Sequence, residues 1–319
     1  MAARASRVFL AKALVSLLLL AVLFWRVDRA AFLRSLQTLP AGVFLGGVAL
    51  YFLGYLISTV RWRLLLEAEG IHLPLTRLTL VYFQGAFFNL FLPTLIGGDL
   101  VRGLSIYRLT EGHPASLASI LVDRLTGFAA LMGIALVALA AAPEIRDAQV
   151  TGLVLAAAAA LLLLVAILAS ARFKRAATGL LRLVRLGRFE AKLEGLVDAV
   201  QRYRSHRRSL VQALAYSVLL QGLIIVTYAL VGRGMGLGVP VGSFFLYVPL
   251  ITLVAMLPVS VAGLGVREGS VVYFFGRLGV DPAAALSMSL VWFSLTVVVC
   301  GAGGLAFLAD SRAAKRRGD

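Results

Sequence analysis

Six stretches of this chain, residues 8–25, 41–60, 117–142, 150–171, 210–231 and 283–308, run on with almost no charge. Each approaches the roughly 20 apolar residues a helix needs to cross about 30 Å of hydrocarbon. In lipid a backbone must satisfy its own hydrogen bonds, so such runs become helices. Hydrophobic residues make up 61% of the chain, against about 45–50% in an ordinary globular protein. The expected fold class is therefore an all-α integral membrane protein of about six transmembrane helices.

Two further apolar stretches do not read as simple spans. Residues 78–96 run into Pro93, Gly97 and Gly98, and residues 244–279 are interrupted by Pro249, Pro258, Gly263 and Gly265. Proline and glycine break the helical hydrogen-bond ladder, so each stretch is expected to contain a break.

The formal charge is +16, and the basic residues lie between the apolar runs. That placement points to membrane orientation and contact with anionic lipid, and not to nucleic acid. Residues 172–208 hold eleven Arg or Lys against three acidic residues, a local charge of +8. Their leucines and valines recur at helical spacing, as in one or two amphipathic helices on the cytoplasmic membrane face; a soluble helical insert is the alternative. The N-terminal Arg4, Arg7 and Lys12 and the tail Lys315, Arg316 and Arg317 are also basic. Phe24, Trp25 and Arg26 stand where a signal peptidase would need small residues, so the first run is expected to remain as a helix.

These charges constrain topology. If both interrupted stretches crossed fully, the +8 segment would lie outside whenever the N-terminus lay inside. If neither crosses, all three basic regions are cytoplasmic together. The expectation is two re-entrant hairpins, around 78–109 and 244–278, entering from opposite faces of a cell membrane. Such backbone must be buried in protein or line a wet cavity.

An internal repeat agrees with this plan. Residues 92–105 set over 257–270 coincide at six of 14 positions, namely Leu, Pro, Gly, Val, Arg and Ser. Residues 1–142 and 150–309 then form one membrane domain of two inverted-topology repeats, the pattern of many secondary transporters.

The candidate site residues follow from the hairpins. Gly97, Gly98, Gly263 and Gly265 permit tight turns and close backbone approach to a ligand. Arg102 and Arg267, just inside the following half-helices, offer a planar fork matched to phosphate. Asp99 and Glu268 are their supporting charges; on a purely structural reading, the pairs Arg102–Asp99 and Arg267–Glu268 only knit the hairpins. Asp123 and Arg124, two turns into a span, should contact the first hairpin or a cavity, or else form an interhelical ion pair. Gln84 and Asn89 are cavity-lining candidates. Arg61-Trp62-Arg63 reads as the end of the second span, with snorkelling arginines around an aromatic anchor.

No ATPase loop, nucleophile elbow or metal-ligand spacing is present, and Cys300 stands alone. The expectation is no catalytic residue, no metal and no cofactor.

At Arg61-Trp62-Arg63, Leu92-Pro93 with Gly97-Gly98-Asp99 and Arg102, Val122-Asp123-Arg124-Leu125, and Leu257-Pro258 with Gly263-Leu264-Gly265-Val266-Arg267-Glu268, the sequence resembles a flippase-like transmembrane family. That family includes the N-terminal membrane region of lysylphosphatidylglycerol synthetases, and the resemblance covers nearly the whole chain. It implies a lipid-translocating domain whose partner is an anionic membrane lipid, and it places Arg102, Arg267 and Glu268 in motif positions. A stand-alone member is expected, because no aminoacyl-transferase domain follows before Asp319; the synthetases' substrate does not transfer. The rival readings are a membrane-embedded lipid-modifying transferase and a scaffold that docks a lipid-pathway enzyme through the +8 segment.

Overall fold

The computed structural model describes residues 14–23, 25, 28–90, 97–141, 147–170, 190–257 and 259–317. Among them every regular element is helical. α1 (Leu14–Leu23) is what is described of the first expected span. α2 (Arg29–Gln37) was not anticipated, because Arg29 and Arg34 split its short apolar face. Asp28 starts it by accepting hydrogen bonds from the Ala30 and Ala31 amides at 2.8 and 3.2 Å. Those amides hold the Asp28 carboxyl below its ordinary value.

Five described helices are long and apolar enough to cross a bilayer. They are α3 (Ala41–Ala68), α6 (Pro114–Ala141), α7 (Ala148–Ala169), α9 (Arg207–Gly234) and the Pro282–Gly304 part of α12 (Pro282–Arg317). α12 is central and α7 peripheral: 61% of the most apolar stretch of α12 is buried, against 11% in α7. Leu162 and Leu163 of α7 face outward, as suits a helix surrounded by lipid. α3 and α9 run antiparallel, with Gly46 facing Leu230, Gly54 facing Leu220 and Gly234 facing Val43. Small residues let spanning helices approach closely where no hydrophobic drive separates protein from lipid.

Both interrupted stretches form helical hairpins. The first pairs α4 (Leu75–Asn89) with α5 (Gly97–Leu109). The second pairs α10 (Val241–Ala255) with α11 (Val266–Gly276), joined through a 3-10 turn at Val261–Gly263. Helices of 15, 13, 15 and 11 residues are about 16–22 Å long at 1.5 Å per residue, short of a hydrocarbon core. Pro249 does not break its helix as expected; α10 continues through it, with the ring buried. A neighbouring helix can shelter the backbone groups a proline frees. Pro93 and Pro258 lie outside the described residues.

The open ends of the two hairpins are at opposite ends of the bundle. α4 and α5 open beside the end of α3 and the start of α6. There α8 (Glu190–Arg202) also docks: Arg202 pairs with Glu69 at 2.7 Å, and Tyr203 donates to the Leu65 carbonyl at 2.7 Å. Burial pushes the Tyr203 hydroxyl well above the usual tyrosine range. The rest of the basic segment, 171–189, lies outside the described residues. α10 and α11 open beside the start of α7 and of α12, where Arg277 pairs with Asp147 and donates to Gln149 at 3.0 Å. The core likewise has two main centres, beside a small cluster at Ala283 and Leu286. One gathers Trp62, Leu65, Ile106 and Tyr203 near the first hairpin, and the other gathers Phe244, Tyr247, Phe275 and Trp292 near the second.

Candidate functional site

α3 continues two turns beyond Val60, and this overturns the reading of Arg61 and Trp62 as a membrane-surface anchor. Successive residues turn by about 100° on a helix, so Arg61 and Arg63 point to opposite sides. Arg63 faces out and pairs with Glu67 at 2.6 Å. Arg61 is 4% exposed and Trp62 fully buried.

Arg61 opens a buried ion network. Its Nε donates to Asp123 Oδ1 at 2.7 Å and its Nη1 to Ser217 Oγ at 2.8 Å. Arg102, from the first hairpin, donates through Nη2 to Asp123 Oδ2 at 3.4 Å and through Nη1 to Asp99 Oδ1 at 3.2 Å. The other oxygen of Asp99 accepts from Arg124 Nε. Asp123 and Arg124 are adjacent on α6 but point in different directions, so each reaches a different partner, and both reach the first hairpin. The Arg102 guanidinium lies 4.3 Å from the Trp62 ring centre and 3.9 Å from that of Tyr82. Its Nε is buried without a hydrogen-bond partner.

Three arginines thus face two aspartates, a residual charge of +1 among the described residues. All five line a cavity of about 290 Å³ between α3, α4, α5, α6 and α9, which Thr252 of α10 and Met256 just after it also line. Asn89 also lines it, and its Oδ1 accepts from the Gly98 amide at 2.6 Å. Gln84 is buried in α4 but is not part of the lining. Gly97 starts α5, and Gly98 lies against α4 so closely that a Cβ there would overlap the Gly85 carbonyl oxygen.

The second hairpin places its residues elsewhere. Arg267 donates to Glu268 Oε1 through Nε at 3.0 Å and again through Nη2. Glu268 is fully buried; Oε2 accepts from the Gly265 amide at 2.6 Å and Oε1 from Ser289 at 3.4 Å. A carboxylate on the free amides at a helix start also meets the positive end of the helix dipole. Gly263 and Gly265 have φ of +75° and +81°, in the left-handed region that favours glycine. Arg267 lies 5.1 Å from the Phe293 ring centre, outside the lining of the cavity. The repeat motif therefore brings Arg102 and Arg267 into the bundle, but not into one pocket.

Arg61 and Ser217 are the network members that sequence reasoning missed. Arg61 sits where hydropathy falls, which hides an interior cation; the small residues Ser58, Thr59 and Gly54 on the preceding turns were the available signal. Among the described residues no group of three or more His, Cys, Asp or Glu assembles as a metal site.

The chain is 24% identical over 305 residues to the UPF0104 membrane protein PH1989 of Pyrococcus horikoshii, covering 87% of this chain and 90% of that one. Residues 9–304 match the family described as the lysylphosphatidylglycerol synthase TM region, a stretch that takes in both hairpins and every member of the ion network. This multi-pass membrane protein belongs to that family.

Proposed function

We propose that the chain moves an anionic phospholipid headgroup across the membrane without an ATPase of its own. The observation that carries this reading is the ion count at the cavity among the described residues: the buried Arg61 and Arg102 and the partly exposed Arg124 against two aspartates. A buried cluster that served only to hold helices together would be cheapest with its charges balanced, since an uncompensated ion in a low-dielectric interior costs several kcal/mol. A lipid phosphate entering the cavity supplies the missing negative charge. Its oxygens compete with Asp99 and Asp123 for Arg102, whose two aspartate contacts, at 3.2 and 3.4 Å, are the loosest in the network.

The hairpins supply a route. Short helix pairs opening at opposite ends suit re-entrant elements in two inverted halves, with both termini and the basic segment in the cytoplasm of a plasma-membrane protein. Neither hairpin fills the bilayer, so a headgroup has only a short distance to pass between their tips. The lipid tails stay in hydrocarbon beside exposed faces such as those of Leu214, Val218 and Val226 on α9.

The test is headgroup-labelled phosphatidylglycerol in liposomes holding the purified protein, read by quenching from outside. Wild type should expose inner-leaflet label, and Arg102→Ala should lower the rate at least tenfold while its melting temperature in detergent stays close to wild type. Unchanged flipping in Arg102→Ala would defeat the proposal. Chemically altered lipid in the extract would point instead to a transferase.

A further inference from the structure

We infer that α1 is a lateral gate on the second hairpin. In the conformation seen it covers the hairpin tip on the lipid side, and its withdrawal opens a way from the bilayer past the tip to the cavity. This rests on the transport reading above, to which it adds a moving part.

The tip of the second hairpin, residues 260–265, links α1 to the cavity. The chain that leads into it lines the cavity at Thr252 and Met256. The tip itself carries α1. Ser16 Oγ accepts from the Val261 amide at 2.8 Å. That amide opens the 3-10 turn, so the turn has no acceptor for it, and a serine in an otherwise apolar helix supplies one. A Cβ on Gly265 would stand 2.5 Å from Leu19 Cβ and 3.3 Å from the Ser16 carbonyl oxygen. The missing side chain is what lets α1 rest on the tip.

Two observations mark this as a contact that opens. The first is how little of α1 it buries. Among the described residues of α1 only Ser16 is buried, while Leu14, Leu17 and Leu18 are 62–68% exposed. Lipid solvates those leucines as well as protein does, so they do not hold the helix in place. The first hairpin is gripped differently. There α12 lies so close to α4 that a Cβ on Gly303 would overlap the Phe83 carbonyl oxygen, and Gly304 faces the Phe87 ring. The gate therefore belongs to the second hairpin.

The second observation is the tip. Ala262 holds a φ of +50°, a left-handed conformation in a residue that has a side chain. Ser260 is 2% exposed, and its hydroxyl has no hydrogen-bond partner among the described residues. A strained backbone and an unpaired buried hydroxyl both cost free energy, and a tip that moves sheds both. The gate also has a fixed neighbour. α2, next in the chain, is anchored on α12: Ala31 and Phe32 pack against Ala283 and Leu286, and Ser287 donates to the Phe32 carbonyl at 3.3 Å. α1 can swing from that anchor without leaving the protein.

The experiment uses the full-length protein in liposomes with Ser16→Cys, Val261→Cys and Cys300→Ala, so that the new pair are its only thiols. Bridging them with a bis-methanethiosulfonate should slow flipping of labelled phosphatidylglycerol by roughly tenfold or more, and reduction in the same vesicles should restore it. Ser16→Ala alone should raise flipping about threefold, the effect of one ordinary hydrogen bond on the closed state. Spin labels on Leu18→Cys and Val211→Cys, again with Cys300→Ala, follow the gate without any transport. Their separations should fall into two populations, and Ser16→Ala should enrich the one with α1 off the tip by about threefold. A single population that Ser16→Ala leaves unchanged would overturn the inference. So would bridged protein that flips as fast as reduced protein, or cysteines that fail to bridge. Two populations in a protein that flips no lipid would sink the transport reading and leave α1 as a moving seal.

Discussion

The two hairpins carry the same arginine, four residues after the same glycine, yet the guanidiniums end in opposite circumstances. Arg102 reaches outward to two carboxylates, one of them on another helix, and shares both with other arginines. Arg267 turns to its own neighbour, Glu268, which is also bound to the amide that opens α11. Among the described residues the first arrangement sets three arginines against two aspartates at a cavity, and the second closes on itself. A repeated motif fixes the backbone device, a short helix started at a glycine turn. What the arginine does there depends on the acidic residue, three positions before it in one hairpin and directly after it in the other.

The largest expected effect turns on this contrast in charge bookkeeping. Removing Arg267 leaves a fully buried Glu268 with only an amide and a hydroxyl for company. Arg267→Ala should destabilise the protein by about 3–5 kcal/mol, the cost typical of a broken buried pair. Arg267→Ala with Glu268→Gln should recover most of it, because a neutral amide oxygen can still accept from the Gly265 amide. Arg102→Ala should do little to stability: Asp99 keeps Arg124 and Asp123 keeps Arg61, so two arginines then face two aspartates. Equilibrium unfolding in mixed micelles measures all three variants. Equal losses for Arg102→Ala and Arg267→Ala would erase the distinction between the hairpins.

The aligned glycines sharpen the comparison at the level of backbone. Gly98 is small because α4 lies against it, whereas Gly263 is there because its φ is +75°. Gly98→Ala has to push two helices apart, and overpacking of this kind costs about 1–3 kcal/mol or more. Gly263→Ala bears the left-handed penalty of about 1–2 kcal/mol, with the Ala255 oxygen 3.0 Å from the new Cβ. We expect Gly98→Ala to be the more damaging and to lower flipping as well, since it shifts Arg102. Gly263→Ala should lower the melting temperature alone.

The sequence made the spans and hairpins legible because both are written locally. Hydrocarbon thickness calls for helices of the kind seen in α3, α6, α7, α9 and α12, and the glycines at 97–98 and at 263 and 265 mark where the second helix of each hairpin begins. Asp123 and Arg124 were legible as an anomaly, two charges inside an apolar run. Their partners were not, since Arg61–Asp123 and Arg124–Asp99 join residues 62 and 25 positions apart. Nor was the depth of Arg61. Hydropathy ends a span at its first cluster of charge and has no means of telling an arginine that snorkels to the surface from one that turns inward. The pairing of Arg267 with Glu268 was readable from adjacency. That it excludes Arg267 from the cavity needed the three-dimensional arrangement.

The smallest effect concerns one hydroxyl in each cluster. Ser217 accepts from Arg61 Nη1 at 2.8 Å and donates to the Ala213 carbonyl at 2.8 Å. Ser289 donates to Glu268 Oε1 at 3.4 Å, a long bond to an oxygen already doubly held by Arg267. Hydrogen bonds to charged groups contribute about 1.5–3 kcal/mol, and weakly aligned ones less. Ser217→Ala should therefore cost about 1.5 kcal/mol, because it removes an acceptor from a cation that is already in excess. Ser289→Ala should cost under about 1 kcal/mol, because Glu268 keeps its arginine and its amide. The order matters more than either value. In the cluster with surplus positive charge every acceptor counts, and in the balanced one a single donor is dispensable. Unfolding midpoints of the two variants, measured side by side, test it, and a larger loss for Ser289→Ala would show that the surplus charge at the cavity is not felt by its neighbours.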